Sequence, residues 1–389
     1  TDPLGYTETY THTADFNQPA TYTDKNGNKY IFTYDDKGSL IASQAPLNVR
    51  TSYAYDSHGW LIASTDSKGN STRITYNTDG TIASTTDALG NTSRFEYDDY
   101  GNTTTFTDAL NNKTRYAYDQ MNRLTTQTDA LGYASTISYN KAGGIVRLRD
   151  AKNHITAFTY DALGRVLTIT NAKGNVSSFT YDGKDNVLTT TDPLGIVNTF
   201  TYNELNKLLS QTNGEGETIS YDYDSKGNLT ATMQTNGNVI TYTYDALDRV
   251  VQIADNIGTI ATYTYDRNGN QITATDAMGH TVVSTYDALN RLISRTMPTG
   301  AVTQYVYDTN SNLTAVEDAL HHINTYTYDA LNRQISHTNP LNAVTYLEYN
   351  ANGNTIKATD ANGNSTQYSY DALGNNTVIT FANGQSLQY

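Results

Sequence analysis

The sequence predicts an all-β protein, a tandem array of 21-residue β-hairpins joined into one long antiparallel meander sheet. Three observations carry that expectation. A tyrosine recurs once per copy at a constant step, without insertion or deletion, at Tyr34, Tyr55, Tyr76, Tyr97, Tyr118, Tyr139, Tyr160, Tyr181, Tyr202, Tyr223, Tyr244, Tyr265, Tyr286, Tyr307, Tyr328, Tyr349 and Tyr370. Two further columns, four residues after that tyrosine and seven before it, hold almost only Gly, Asn and Asp, which tolerate a left-handed backbone. Between the columns, side chains alternate with period two, as in Thr325-Tyr326-Thr327-Tyr328.

The copy from Asp276 to Thr296 shows the elements in order. It opens on a turn, Asp276-Ala277-Met278-Gly279. Asp at the first position of a type I turn accepts backbone amides further along the loop, and the fourth position needs φ > 0. This is the three-residue hairpin loop that ends in a bulge residue. Along the chain that fourth position is Gly thirteen times and Asn four times, with His321 the exception. A strand follows and ends at the repeat tyrosine. The residue two before the tyrosine is aromatic or aliphatic in every copy but that of Ser284. Asp or Asn then starts a second turn, here Asp287-Ala288-Leu289-Asn290. Its fourth position is Gly38, Gly59, Gly80, Gly101, Gly143, Gly164, Gly227, Gly269, Gly353 or Gly374 in ten copies, and Asn, Asp or Ser311 in the rest. The return strand opens on an aliphatic pair, such as Val166-Leu167 or Leu292-Ile293. Successive turns lie alternately eleven and ten positions apart, which suits short strands and leaves no room for a helix.

About 18 hairpins fill residues 1–389 as a single array. Residues 1–33 hold a degenerate first copy, in which His12 takes the tyrosine place, one position further from Tyr34 than the period requires. Thr1 and Tyr389 both fall inside a repeat, as expected of a fragment of a longer protein. A ribbon of so many strands must coil, because twisted open sheets rarely exceed about ten strands. Tyrosines of neighbouring copies lie two strands, roughly 10 Å, apart. The strand between them is expected to insert aliphatic or Thr side chains, so that cross-strand pairs replace a thick core.

Composition narrows the function. The net charge is −14, with acids concentrated in the turns and no basic stripe, which argues against nucleic-acid binding. Cysteine is absent, and no run of 18 apolar residues offers a membrane span. Seven histidines occur, without an HExxH pattern; His154, His280 and His322 share one repeat column and read as polar strand residues. Asp24 to Asn28, Asp266 to Asn270 and Asp360 to Asn364 carry Asp-x-Asn-Gly-Asn, faintly like a calcium loop, yet lack its bidentate Glu and its length. Asx-turn capping accounts for them. Asp222 and Asp224 share a strand face, and Asp35 and Asp36 are adjacent, without a cleft pattern around either pair. The reading is therefore of no catalytic residue, no cofactor and no metal, and of repeat tyrosines and turn glycines with structural roles.

Motifs such as Tyr160-Asp-Ala-Leu-Gly-Arg-Val166, Tyr286-Asp-Ala-Leu-Asn-Arg-Leu292 and Thr191-Asp-Pro-Leu-Gly195 closely resemble the YD repeats of the RHS family. That family includes Rhs and wall-associated polymorphic toxins, the shell components of Tc toxins, and teneurins. The resemblance spans essentially the whole chain. It implies a β-ribbon wound into a hollow spiral shell or tube, secreted or at the cell surface, non-enzymatic, with an enclosed toxin polypeptide as partner. The shell-closing segment of toxin members and its self-cleaving aspartyl machinery are missing from these residues. The constant repeat length points to constant curvature and to an alternative: an extracellular fibre or adhesive stalk of further repeat copies. Carbohydrate binding, with cell-surface glycans as partners of exposed tyrosines, is a third expectation.

Overall fold

The computed structural model describes every residue from Thr1 to Tyr389. It contains 37 strands in one antiparallel meander, each paired with its neighbours in sequence, and no α-helix. A single 3₁₀ turn occupies Pro46–Asn48. The strand before each repeat tyrosine is six residues in most copies, as in Lys29–Tyr34, and the return strand five, as in Leu40–Gln44. All seventeen repeat tyrosines are the last residue of their strand.

The chain divides into two compact units. The first comprises Thr1–Arg115, Thr264–Ala274 and Thr281–Tyr389; the second comprises Tyr116–Tyr263 and Thr275–His280. Neither has a thick apolar core. The only buried hydrophobic residue is Ala42, at 4% exposure, and the buried polar residues Asp24, Thr105, Thr107 and Ser336 also lie in the first unit. Accessible surface totals 23009 Å². A globular monomer of 42.8 kDa would expose only about 15,000 Å². The sheet is held across its width instead, by ladder hydrogen bonds and by paired side chains such as Thr159 with Thr168 and Thr201 with Ser210, both 2.6 Å apart.

Both edges of the ribbon are lined by the same loop. On the tyrosine edge, the Asp35 amide donates to the Ser39 carbonyl and the Gly38 amide to the Asp35 carbonyl. On the far edge, Asp24 and Asn28, and Gly27 and Asp24, repeat those bonds. The fourth residue takes φ near +60° when it is Asn or Asp and near +85° when it is Gly, as at Asn290 (61°) and Gly164 (83°). Ser311 and His321, the two residues that break the compositional rule, adopt the same conformation at φ 67° and 64°. Gly258 does not. There the Asp255 amide bonds to the Gly258 carbonyl, so the turn closes one residue early and the next strand, Thr259–Tyr265, gains a residue. The turn alone thus decides that glycine's conformation.

One feature separates the edges. Beside far-edge turns the ladder is regular, as in Thr168↔Ser178, Ile169↔Ser177 and Thr170↔Val176. The shortened Gly258 turn is an exception, with a slip between Ile253 and Ala254. Beside the tyrosine edge a slip of one residue is the rule: Thr159 faces Thr168 and Tyr160 faces Val166, which leaves Leu167 without a partner. The same slip recurs at Ile41, Ile62 and Ile293. This second bulge explains the aliphatic pair of the return strand, since two consecutive residues there oppose one and need not alternate.

Candidate functional site

The repeat tyrosine fills a gap that the bulge creates. Val166 pairs with Tyr160 on one side, but its ladder to the following strand begins only at Thr168. Its carbonyl therefore lacks a strand partner on that side. The Tyr181 hydroxyl reaches over and donates to it at 2.7 Å. The bond recurs fifteen residues back from Tyr55 (3.0 Å to the Leu40 carbonyl), Tyr76 (2.8 Å to Leu61), Tyr244 (2.7 Å to Leu229) and Tyr370 (2.7 Å to Thr355). A phenol is the right length for this task and phenylalanine would leave the carbonyl unpaired. Burial raises the pKa of Tyr55, Tyr223, Tyr244 and Tyr328 above the ordinary phenol value, which keeps each a donor.

The turn acids are committed locally. Asp161 accepts the amides of Leu163 and Arg165, both at 2.9 Å. Asp276 accepts those of Met278 and His280 at 2.8 and 2.9 Å. These amide bonds lower the Asp161 and Asp276 pKa values, the bond from residue 165 or 280 contributing most. Asp224 is likewise held by the amides of Lys226 and Asn228, and Asp35 by those of Lys37 and Ser39. In the calcium-like loops, Asn28, Asn270 and Asn364 place side-chain NH₂ groups on Asp24, Asp266 and Asp360 at 2.8–2.9 Å, where a cation would need free oxygens. His154, His280 and His322 each set Nδ1 at 2.9–3.0 Å from the Asp four residues earlier. No group of three His, Asp or Glu side chains converges as a metal site would require.

A second period, hidden inside the first, governs the tyrosine edge. Five residues after the repeat tyrosine, every second copy from Tyr118 to Tyr328 carries a cation: Arg123, Arg165, Lys207, Arg249, Arg291 and Arg333. The copies on either side of these carry Asn102, Gly144, Asn186, Asn228, Asn270, Asn312 and Asn354. Each class makes its own lateral tie. Arg165 Nε donates to Asp161 at 2.7 Å, while Nη1 reaches the Asp182 carbonyl at 2.7 Å and the Asp185 carboxylate at 2.9 Å in the next copy. Its guanidinium lies 4.7 Å from the centre of the Tyr181 ring. Arg123, Arg291 and Arg333 stack on Tyr139, Tyr307 and Tyr349 in the same way at 4.5–4.8 Å. In the alternate copies the amide side chain reaches forward: Asn186 to Asn206, Asn228 to Asp248, Asn270 to Asn290 and Asn312 to Asn332, at 2.7–3.0 Å. The acceptors are the left-handed turn residues, so Asn or Asp at those places supplies an oxygen that glycine cannot. Sequence reasoning followed the left-handed turn columns and did not take up this one, so the alternation went unread although the column of Arg and Asn residues displays it.

Within the first unit, a far edge meets a tyrosine edge. The turns beginning at Asp24, Asp66 and Asp108 lie against those beginning at Asp266, Asp308 and Asn350. Asn268, Asn310 and Asn352 donate to Asp24, Asp66 and Asp108, each 244 residues away. In return Asn26 donates to Asp266, and Lys68 to Asp308. The donors recur on alternate turns. Burial opposes ionisation of Asp66, Asp266 and Asp308, but the hydrogen bonds that converge on each outweigh it and hold the pKa below the ordinary value.

The family model for the teneurin YD-shell matches residues 4–143, 63–239 and 132–275, and that for the RHS repeat matches 265–302, 286–323, 307–344 and 349–386. No curated protein matches the sequence. Among solved structures, a TcdB2-TccC3-TEV crystal structure is 15% identical over 98% of this chain and 25% of its own, with a TM-score of 0.66. The Photorhabdus luminescens Tc holotoxin pore carrying TccC3-D651A is 12% identical over 98% of this chain and 29% of its own, with a TM-score of 0.55. The chain thus spans about a quarter of the length of these structures and shares their fold. With the shell model matched over more than half its length and RHS repeats over the remainder, the chain belongs to the teneurin YD-shell and RHS-repeat family.

Proposed function

We propose that this chain is a wall segment of a secreted or cell-surface protein, a β-shell that encloses a toxin polypeptide and catalyses nothing itself. One observation carries the reading. Most of the groups that could do chemistry, namely the repeat phenols and the turn carboxylates, imidazoles and guanidinia, are bonded within their own turns or to neighbouring repeats, which supports a role in building a wall. The seventeen tyrosines and the turn glycines are, on this reading, structural residues. The test is to fuse an unstructured passenger after Tyr389 and follow its digestion by a broad-specificity protease. Survival well beyond that of the free passenger is expected. Equal digestion rates would refute enclosure by this segment. A fibre or stalk is the second reading, favoured by the unbroken 21-residue step. Electron micrographs showing filaments of uniform width and growing length would select it.

A further inference from the structure

The contact between the two edges in the first unit follows a rule. A donor at the third position of a tyrosine-edge turn (Asn268, Asn310, Asn352) meets an Asp at the first position of a far-edge turn (Asp24, Asp66, Asp108). In the turns between, the same step of 244 residues sets Leu289 opposite Ala45 and Leu331 opposite Asp87, with Leu47 and Leu89 two residues further on. Two stretches outside this contact carry the same alternation. On the tyrosine edge of the second unit the third positions read Leu163, Lys184, Leu205, Lys226, Leu247. On the far edge of the first unit, the first positions of successive turns read Met297, Asp318, Asn339, Asp360, Phe381. Met297 and Phe381 occupy first positions where Asp is the commonest residue. Leu163 and Leu205 stand out in water at 72% and 69% exposure, while Met297 and Phe381 are 41% and 40% exposed.

We propose that these two stretches are a docking pair, by which the second-unit tyrosine edge of one copy of this chain seats on the first-unit far edge of another. Lys184 meets Asp318, Lys226 meets Asp360, Leu163 meets Met297 and Leu247 meets Phe381, while Leu205 faces the turn of Asn339 to Asn342. Four of the five turns follow the third-to-first rule of the existing contact, with opposite charges and apolar partners along it, and Leu205 falls opposite Asn339. Asp318 and Asp360 stay bonded to their own turn amides, as Asp66 does while it also accepts from Asn310. In the single chain, Lys184 lies against the Glu204 carbonyl and Lys226 against Asp248 along their own edge. Exposed ties of that kind are weak enough to exchange for a new partner. The two surfaces differ, so the contact is head-to-tail and leaves a free end at each side of a dimer.

The chain has no cysteine, which gives a register-specific test. Leu205→Cys combined with Leu341→Cys is expected to form disulfide-linked dimers and longer ladders on oxidation. Leu205→Cys combined with Leu320→Cys, whose partner turn is one step out of register, should link at least tenfold less. Equal linking by the two pairs, or none by either, would overturn the proposal. In sedimentation, the unmodified chain should grow in size with concentration. The double variant Lys184→Glu, Lys226→Glu should stay monomeric with an unchanged melting temperature. A monomer at every concentration for the unmodified chain, or a charge-reversed variant that still associates, would also refute it. Passenger protection is read on single chains, so that outcome and this one are independent.

Discussion

The two edges of the ribbon are built from one loop and do different work. The far edge closes its hairpins, that of Gly258 apart, with a regular ladder and hydroxyl pairs such as Thr212 with Thr218 at 2.8 Å. The tyrosine edge has the same loop but a slipped ladder, an orphaned carbonyl, and a set of side chains that repair the damage by reaching into the next copy. The loop therefore defines the hairpin, while the bulge beside it creates the need for contacts between hairpins. A bulge also bends and twists its strand, so curvature and lateral bonding enter through the same edge.

The largest effect should come from forcing a side chain into the turn itself. Gly164, on the tyrosine edge, sits at φ 83° with open space around it, so Gly164→Val should cost about 1–3 kcal/mol through backbone strain alone. On the far edge, Gly214 lies outside the left-handed region, but an added Cβ would collide with Ile196. Gly214→Ala should cost less, because an exposed Ile side chain can give way. Ala162→Val, in the same turn as Gly164, should change stability by under ~0.5 kcal/mol. Denaturant midpoints of the three variants check the ranking, and equal shifts for Gly164→Val and Ala162→Val would remove the basis of the turn assignment.

Next comes the phenol. Tyr181→Phe keeps the ring under Arg165 and loses only the bond to the Val166 carbonyl, at a cost of about 1 kcal/mol. Thr212→Val on the far edge removes a bond that leaves no orphaned backbone group and should cost less. A reversed order in urea unfolding would show that the bulge carbonyl is satisfied by other means.

A smaller effect is expected from Arg165→Lys. An ammonium can pair with Asp161 but cannot also reach the Asp182 carbonyl and stack flat on Tyr181. Hydrogen exchange should quicken at the junction of these two copies and stay unchanged one hairpin further on. Uniform protection would mean that the lateral tie is decorative.

Acid and alkali should act on different groups, and mildly. Asp66, Asp266 and Asp308 have lowered pKa values. Their contribution is intact above the ordinary value of 3.8 and disappears as pH falls through the lower folded values. The tyrosines shift the other way: Tyr55, Tyr223, Tyr244 and Tyr328 keep their contribution up to 10.0 and lose it as pH rises through their raised folded values. Melting temperature against pH should therefore be flat between these limits. A transition centred at about pH 6 would implicate the histidines instead.

Much of the fold was legible because its rules are local. Tyr34 to Tyr370, the columns of left-handed residues and the turn spacing all follow from covalent geometry, and the strand ends fall where they predict. The bulge left a visible sign in the pair Val166-Leu167, which a period-two reading had to treat as an irregularity. Gly258 was misjudged because its residue type fits a conformation that its shortened turn does not use. The arginine and asparagine ties escaped notice because each joins residues 17 or 20 apart, just short of one repeat, and alternates between copies. Least legible was the meeting of Asp24 with Asn268. The distance along the chain at which edges meet depends on small rotations summed over many hairpins, and no single repeat encodes it.

The alternation of Arg and Asn copies gives the array a parity. In the stretch between Tyr160 and Tyr328 a copy is completed by a neighbour of the opposite kind: Arg165 needs the Tyr181 copy, and Asn186 needs Asn206 in the one after. Losing two adjacent hairpins by recombination would rejoin unlike neighbours and leave every tie intact. Losing one would set like beside like, and it would also shift every later donor out of step with the acids it meets across the edge. That central stretch keeps its ties when it lengthens or shortens by even numbers of copies, so a pair of hairpins rather than one is the smallest piece that can be inherited silently there.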